Sequence, residues 1–229
     1  MAIDTADTKR RQMPWHHNLK AQACVFCGRP GGHPDHVPPG SIFRGKHDDL
    51  ITVPCCKACN NEASQLDDHF KIVVVAPLSI AGDEGRARLV ASAARGAARN
   101  RTIRSRLSAT FVKASEGGVG EMPSYSVESV GRRIARALYW HEFGDRLPPS
   151  LPISARRFPS VAWIPQGMSA LLTRREVASG QFRYAFLRAP DDPSYSVWVL
   201  EFHSKTTVLV ETNSNHASNQ LFETTALKL

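Results

Sequence analysis

The stretch Cys24-Val25-Phe26-Cys27, then Pro34-Asp35-His36-Val37-Pro38-Pro39, then Cys55-Cys56-Lys57-Ala58-Cys59-Asn60, decides how this chain is read. Cys24/Cys27 and Cys56/Cys59 both have C-x2-C spacing. A turn of that spacing aims two thiolates at one ion, and two such turns complete a closed tetrahedral set of the structural Zn2+ kind. The surrounding chain points the same way. Residues 21–60 are rich in Cys, Gly, Pro and His, and Pro30, Pro34, Pro38 and Pro39 forbid a long helix there. A loop-and-hairpin segment of this kind has no core of its own, and metal binding supplies the missing folding free energy. Buried free cysteines are the alternative, since Cys packs as a small hydrophobe; paired spacing in a coreless segment favours zinc. Cys55 stands outside both pairs and is expected as a spare thiol, packed in the interior.

Beyond the last cysteine the pattern changes. Ala63, Leu66, Phe70 and Val73 recur at helical spacing, predicting a helix from about Asn60 to the mid-70s. The order is therefore hairpin, then helix. Residues 83–113 form an arginine-rich helical stretch, with Arg95, Arg99, Arg101, Arg104 and Arg106 as candidate phosphate contacts or, equally, a solvated basic face. A further helix fits 127–143, with Gly144 as its C-terminal stop. In the C-terminal third, 160–164 reads as a strand and 173–179 as a short helix. Residues 182–187, 194–202 and 206–212 read as strands, the last two turning at His203-Ser204-Lys205. The whole is α+β: a polar lead-in at 1–20, a metal-stapled module at 21–76, and an accessory α+β region at 77–229 ending in an antiparallel β-rich part.

The Asp35-His36 pair and Asn60 carry the chemistry. A neutral imidazole titrates near operating pH, which suits a general base. Asp and Asn offer hard oxygen donors that suit Mg2+ or Mn2+ rather than zinc. Each residue also has a bland alternative: His36 as a knuckle histidine, Asp35 as a turn former, Asn60 as a helix N-cap. His33, His47 and His69 have no assigned role, and at least two of them are expected at the surface.

From Cys24 to about Phe70 the pattern resembles the HNH (ββα-metal) endonuclease family. It is similar to the zinc-containing, endonuclease VII type, in which Asn follows the last cysteine. The resemblance implies a zinc-stapled ββα-metal module in which His36 is the general base and Asp35 and Asn60 hold a divalent ion. It also implies products with 5′-phosphate and 3′-hydroxyl ends. The middle motif position, usually Asn, falls at Asp49, which accepts as Asn does but cannot donate and adds negative charge. Nucleases of this family serve restriction, phage defence, recombination and mobile elements.

The bulk properties agree with a polyanion partner. The formal net charge is +8, and 42% of the residues are hydrophobic, enough for a core. Residues 1–15 have no apolar signal core and no apolar run spans a bilayer, so the expected setting is cytoplasmic, with no membrane partner. Nucleic acid, DNA foremost, is the expected partner, with a homodimer or protein partner left open. The competing readings are a zinc ribbon that grips nucleic acid or protein without cutting, and a zinc knot that only anchors the C-terminal region. The Asp35, His36 and Asn60 combination separates them, because a plain ribbon needs none of the three.

Overall fold

The computed structural model describes residues 16–75, 77–78, 83–101, 104–105, 124–158, 161–164 and 166–213. The architecture is α+β. A two-stranded antiparallel hairpin, β1 (His33–His36) and β2 (Thr52–Cys55), leads directly into the helix α1 (Lys57–Val75). Then come α2 (Glu84–Arg99) and α3 (Ser124–Phe143), and a five-stranded antiparallel sheet. Its strands are β3 (Ile153–Phe158), β4 (Thr173–Val177), β5 (Phe182–Arg188), β6 (Ser196–Phe202) and β7 (Thr206–Thr212), in spatial order β3-β7-β6-β5-β4. A short helix, α4 (Gln166–Leu171), precedes β4. No described helix is long and apolar enough to cross a membrane.

The hairpin register explains how a segment with two prolines can pair. His33 faces Cys55 and Asp35 faces Val53, and the Val37 amide donates to Ile51 at 3.0 Å, continuing the hydrogen-bonded positions. Pro34 and Pro54 face each other between them, at a position where the ladder asks for no N–H.

Expectation and structure differ at three places. The helix after the last cysteine begins at Lys57, three residues before Asn60. Residues 173–179, read as a helix, are the edge strand β4 followed by a turn at Ala178, Ser179 and Gly180, all with positive φ. Pairing of β4 with β5 overrides the helical preference of Arg174, Arg175 and Glu176. Within 160–164, read as a strand, Val161–Trp163 is a 3-10 turn, and the strand lies earlier, at Ile153–Phe158. That strand shows exposed Arg156 and Arg157 on the sheet edge, which breaks the apolar alternation. The reading of 182–212 holds closely, and His203 and Ser204 take positive φ in the predicted hairpin turn.

One face of the sheet receives α3. Phe182, Tyr184 and Phe186 of β5 align with Phe202, Leu200 and Trp198 of β6, and Val208 and Val210 of β7 continue the same face. The rings of Phe186 and Trp198 stack at 4.9 Å, and Phe143 from α3 meets both edge-on. This core also contains Val37, Ile42, Phe43 and Val53 from the hairpin region and Phe70 from α1. Stretches 21–76 and 77–229 therefore share one hydrophobic cluster. Phe70 is fully buried and packs edge-on against Phe202 at 5.1 Å, which fixes α1 over the sheet.

Helix α3 sits close to the sheet because Gly131 faces it. A Cβ there would lie 2.9 Å from Ala155 Cβ and 3.3 Å from Val208 Cγ1. Gly131→Leu sets two effects against each other. Leu is the better helix former by somewhat under 1 kcal/mol, while overpacking costs about 1–3 kcal/mol. Packing wins, so urea unfolding should show a net loss of stability; a gain would mean that α3 is not seated this closely.

Candidate metal centre and catalytic site

Two turns bring the four paired cysteines together. The first is closed by Cys24 N–H donating to Arg29 O at 2.8 Å and Gly28 N–H donating to Cys24 O at 2.9 Å, with Gly28 at φ 78°. It is tied to the hairpin by Val25 N–H, which donates to Pro54 O at 3.0 Å. The second turn is the start of α1, where Cys59 N–H points at Cys56 Sγ, 3.5 Å away, as helix amides do in a cap. The ligand atoms of Cys24, Cys27, Cys56 and Cys59 all lie within 4.8 Å of one another, and Cys27 Sγ is 3.6 Å from Cys56 Sγ. A tetrahedral Zn2+ with bonds of about 2.3 Å places its sulfurs about 3.8 Å apart. The donor set fits that ion in number, spacing and chemistry.

Cys55, fully buried, takes part indirectly. Its thiol sits against Cys24, draws the Cys24 thiol well below the ordinary range, and is itself pushed up. Burial pushes Cys59 up as well. Four thiolates this close repel, and the charge of a metal ion is what lets them all ionise.

His36 is exposed at the end of β1 and lies directly opposite Thr52. This is a non-hydrogen-bonded pair, where facing side chains come closest, and His36 Nδ1 lies 3.1 Å from Thr52 Oγ1. The Thr52 hydroxyl donates to Leu50 O at 3.3 Å. Having one hydrogen, it then accepts from Nδ1–H, which leaves Nε2 with its lone pair.

Asp35 is engaged by an arginine from outside the hairpin. Arg133 of α3 donates from Nη2 to Asp35 Oδ2 at 2.5 Å, and their side chains are only 15% and 18% exposed. The same guanidinium covers the Phe26 ring at 3.7 Å, inside the first cysteine turn, and approaches Cys55 Sγ at 3.7 Å. Asp67 of α1 is close enough to feel both charges. Burial raises its carboxyl to about 6, with Arg133 pulling down and Asp35 pushing further up.

Asn60 is exposed in the first turn of α1, its N–H donating to Cys56 O at 3.0 Å. It lies inside the helix, so it is not the N-cap. Asn60 and Asp67 are seven residues, two turns, apart, so the helix face that carries Asn60 also turns Asp67 toward Asp35. Asp35 and Asn60 both carry side-chain oxygens, and Asp35 already gives one of its own to Arg133.

Asp49 is bonded to the β4–β5 turn. Its Oδ2 accepts from Ala178 N–H at 2.9 Å, tying the loop between β1 and β2 to the β4–β5 turn. The same loop is held by Gln181, which accepts from Arg44 N–H at 2.8 Å, and by His203 Nε2, which donates to Ile42 O at 2.9 Å. Of the three unassigned histidines, His33 is exposed, His47 half-buried and His69 buried, fewer at the surface than expected. Arg95, Arg99, Arg101 and Arg104 are exposed on and just beyond α2; Arg106 lies outside the described residues.

Sequence reasoning passed over Thr52, Asp67 and Phe26, and read Arg133 only as part of the basic Arg132-Arg133 dipeptide, phosphate contact or solvated charge alike. Arg133 and Asp67 do leave a trace. Arg133 stands three residues after Val130 and four before Ala137, and Asp67 four after Ala63 and three before Phe70. Each is a charge set in the apolar stripe of its helix, a place where charges need partners. Thr52 becomes visible only once the hairpin register is known.

Two outcomes follow. Cys56→Ser should remove about one zinc ion per chain by elemental analysis and collapse the cooperative melt; full zinc content would refute the four-sulfur site. Asp67 has a folded pKa above its ordinary value of about 3.9. Its stabilising contribution is therefore complete below pH 4 and is lost as pH rises through about 6. Asp67→Asn should raise the melting temperature at pH 8, with the gain shrinking toward zero at pH 4. An equal offset at both pH values would assign the effect to packing.

Comparison with protein-family models, with curated proteins and with solved structures finds no match to this chain.

Proposed function

We propose that the chain is a metal-dependent HNH-type endonuclease that hydrolyses phosphodiester bonds in nucleic acid, DNA foremost, with the hairpin and α1 as its ββα-metal module. The observation that carries the reading is the orientation of His36. An exposed imidazole, its Nδ1 taken by Thr52, directly follows Asp35 in the chain at the end of a hairpin braced by a four-sulfur centre.

In this reading His36 Nε2 takes a proton from water. The water oxygen forms the new bond to phosphorus as the bond from phosphorus to the 3′ oxygen breaks, leaving 5′-phosphate and 3′-hydroxyl ends. Thr52 holds the ring and its tautomer through the proton transfer. Asp35 and Asn60 hold the divalent ion, Mg2+ or Mn2+, which when bound offsets the charge that develops on the phosphate and the leaving oxygen. Zn2+ at Cys24, Cys27, Cys56 and Cys59 is structural.

One observation favours a second reading, a zinc module that binds without cutting: Arg133 already neutralises Asp35. Cleavage of supercoiled plasmid with Mg2+ or Mn2+ separates the two. Wild type should nick or linearise it, and His36→Ala should lose about 10²–10⁴-fold in rate, the span of general-base catalysis, with zinc content and melting temperature unchanged. Thr52→Val should lose less, because the ring keeps its lone pair but not its anchor. No cleavage by zinc-replete wild type on duplex, branched or RNA substrates would establish the binding module. Equal cleavage by His36→Ala would remove His36 as the base.

A further inference from the structure

Helices α1 and α2 form a second candidate site that does not include His36. A groove of about 740 Å³ opens between them, lined by Asp68 and Lys71 of α1 and by Ser92, Arg95, Gly96 and Arg99 of α2. The α2 residues recur at spacings of three, four and seven, so one face of the helix supplies them all. Pockets of this volume usually hold apolar ligands between apolar walls. Here three cations face one carboxylate.

The cations are placed for a ligand. Lys71 Nζ is fixed by donating to Ser92 Oγ at 3.0 Å. Burial disfavours its ammonium form and Arg95 adds to that, while Asp68 acts in the opposite sense. Arg95 and Arg99 are exposed, and their guanidinium groups make no ion pair or hydrogen bond among the described residues. The capping of α2 is done by others: Asn100 N–H donates to Gly96 O at 3.1 Å, and Arg104 reaches Ala98 O at 3.3 Å. At Gly96 a Cβ would meet nothing within 4 Å, so the floor is open for a close approach.

We propose that this groove binds the phosphodiester backbone of a nucleic acid strand, through Lys71, Arg95 and Arg99. Its concave shape suits a strand, whereas a membrane-binding surface presents projecting cations beside apolar side chains. The inference rests on the nuclease reading for the identity of the polymer. It adds a contact that positions the strand without touching the bond to be cut.

The test is fluorescence anisotropy of labelled duplex and single-stranded DNA with the full-length, zinc-loaded protein and no added magnesium, so that binding is read without cleavage. Two variants probe the groove. Arg95→Gln with Arg99→Gln removes two exposed cations. Gly96→Glu places a carboxylate on the open floor, and because Glu forms helix better than Gly it should melt no lower than wild type. Both should bind at least tenfold more weakly at low salt. For the double variant the slope of log affinity against log salt on duplex should fall by about 1.8, two phosphate contacts at about 0.9 each. Arg157→Gln with Lys205→Gln, an equal charge loss on the sheet, should leave binding close to wild type. Wild-type affinity and slope in both groove variants would overturn the proposal, as would an equal loss in the sheet variant or a wild type that binds no DNA. A wild type that binds through the groove but never cuts would sink the nuclease reading and leave this one standing.

Discussion

Four sulfur atoms within 4.8 Å of one another are the constraint on which the N-terminal half depends. The chain from Ala21 to Asn60 contains one short hairpin, and its buried side chains Val25, Val37, Ile42, Phe43, Ile51 and Val53 belong to the core shared with the sheet. Fixing each backbone residue costs about 1–2 kcal/mol of conformational entropy, and burying these side chains, at about 1.5–3 kcal/mol each, offsets only part of it. A structural zinc ion contributes about 10–16 kcal/mol in small domains. Its position matters as much as its strength. One pair of sulfurs lies in a turn bonded to Pro54 at the end of β2, and the other forms the start of α1. Clamping them fixes the angle at which strand passes into helix, and so sets where Asp35, His36 and Asn60 stand relative to one another.

The rest of the molecule holds that corner from outside. Phe70 seats α1 on Phe202, Asp49 and Gln181 tie the β1–β2 loop to the β4–β5 turn, and Arg133 reaches from α3 to Asp35, Phe26 and Cys55. The C-terminal sheet is thus the support of the candidate site. Breaking a buried ion pair by removing one partner costs about 3–5 kcal/mol, and the residual exposure of Asp35 and Arg133 lowers that figure. Even so, the pair is worth more than any surface bridge on α2, such as Arg88–Glu84 with side chains 79% and 87% exposed.

What the sequence made legible follows from which interactions are local. The cysteine pairs, the helices, and strands β6 and β7 could be read because their signals are spacing, 3.6-residue periodicity and unbroken apolar runs. Strands β6 and β7 are inner strands buried on both faces, so Val197–Leu200 and Val208–Val210 run as unbroken apolar stretches at their centres. Edge strands were the failures. β3 and β4 carry Arg156, Arg157, Arg174 and Arg175 where one side meets solvent, and their identity comes from pairing with distant partners. The candidate site divides in the same way. Asp35, His36 and Asn60 lie beside the cysteines in sequence, while Thr52 depends on register and Arg133 on a helix 98 residues away from Asp35.

Arg133 also sets the electrostatic problem that a nuclease built this way must solve. Asp35 faces a guanidinium at 2.5 Å, and Asp67 is kept partly protonated near neutral pH by burial. The carboxylates therefore offer a divalent ion less than two full negative charges, and Arg133 adds a positive charge of its own. At an effective dielectric of about 20, two unit charges 4 Å apart interact by about 4 kcal/mol. Any cation drawn to Asp35 therefore works against a term of that order unless Arg133 shifts off Oδ2 or an anion arrives with the ion. A phosphodiester is such an anion, and its charge would satisfy Arg133 and the metal together. On the proposed reading, such a site would hold its cation weakly alone and more firmly with substrate, and metal binding would be coupled to the presence of the bond to be cut.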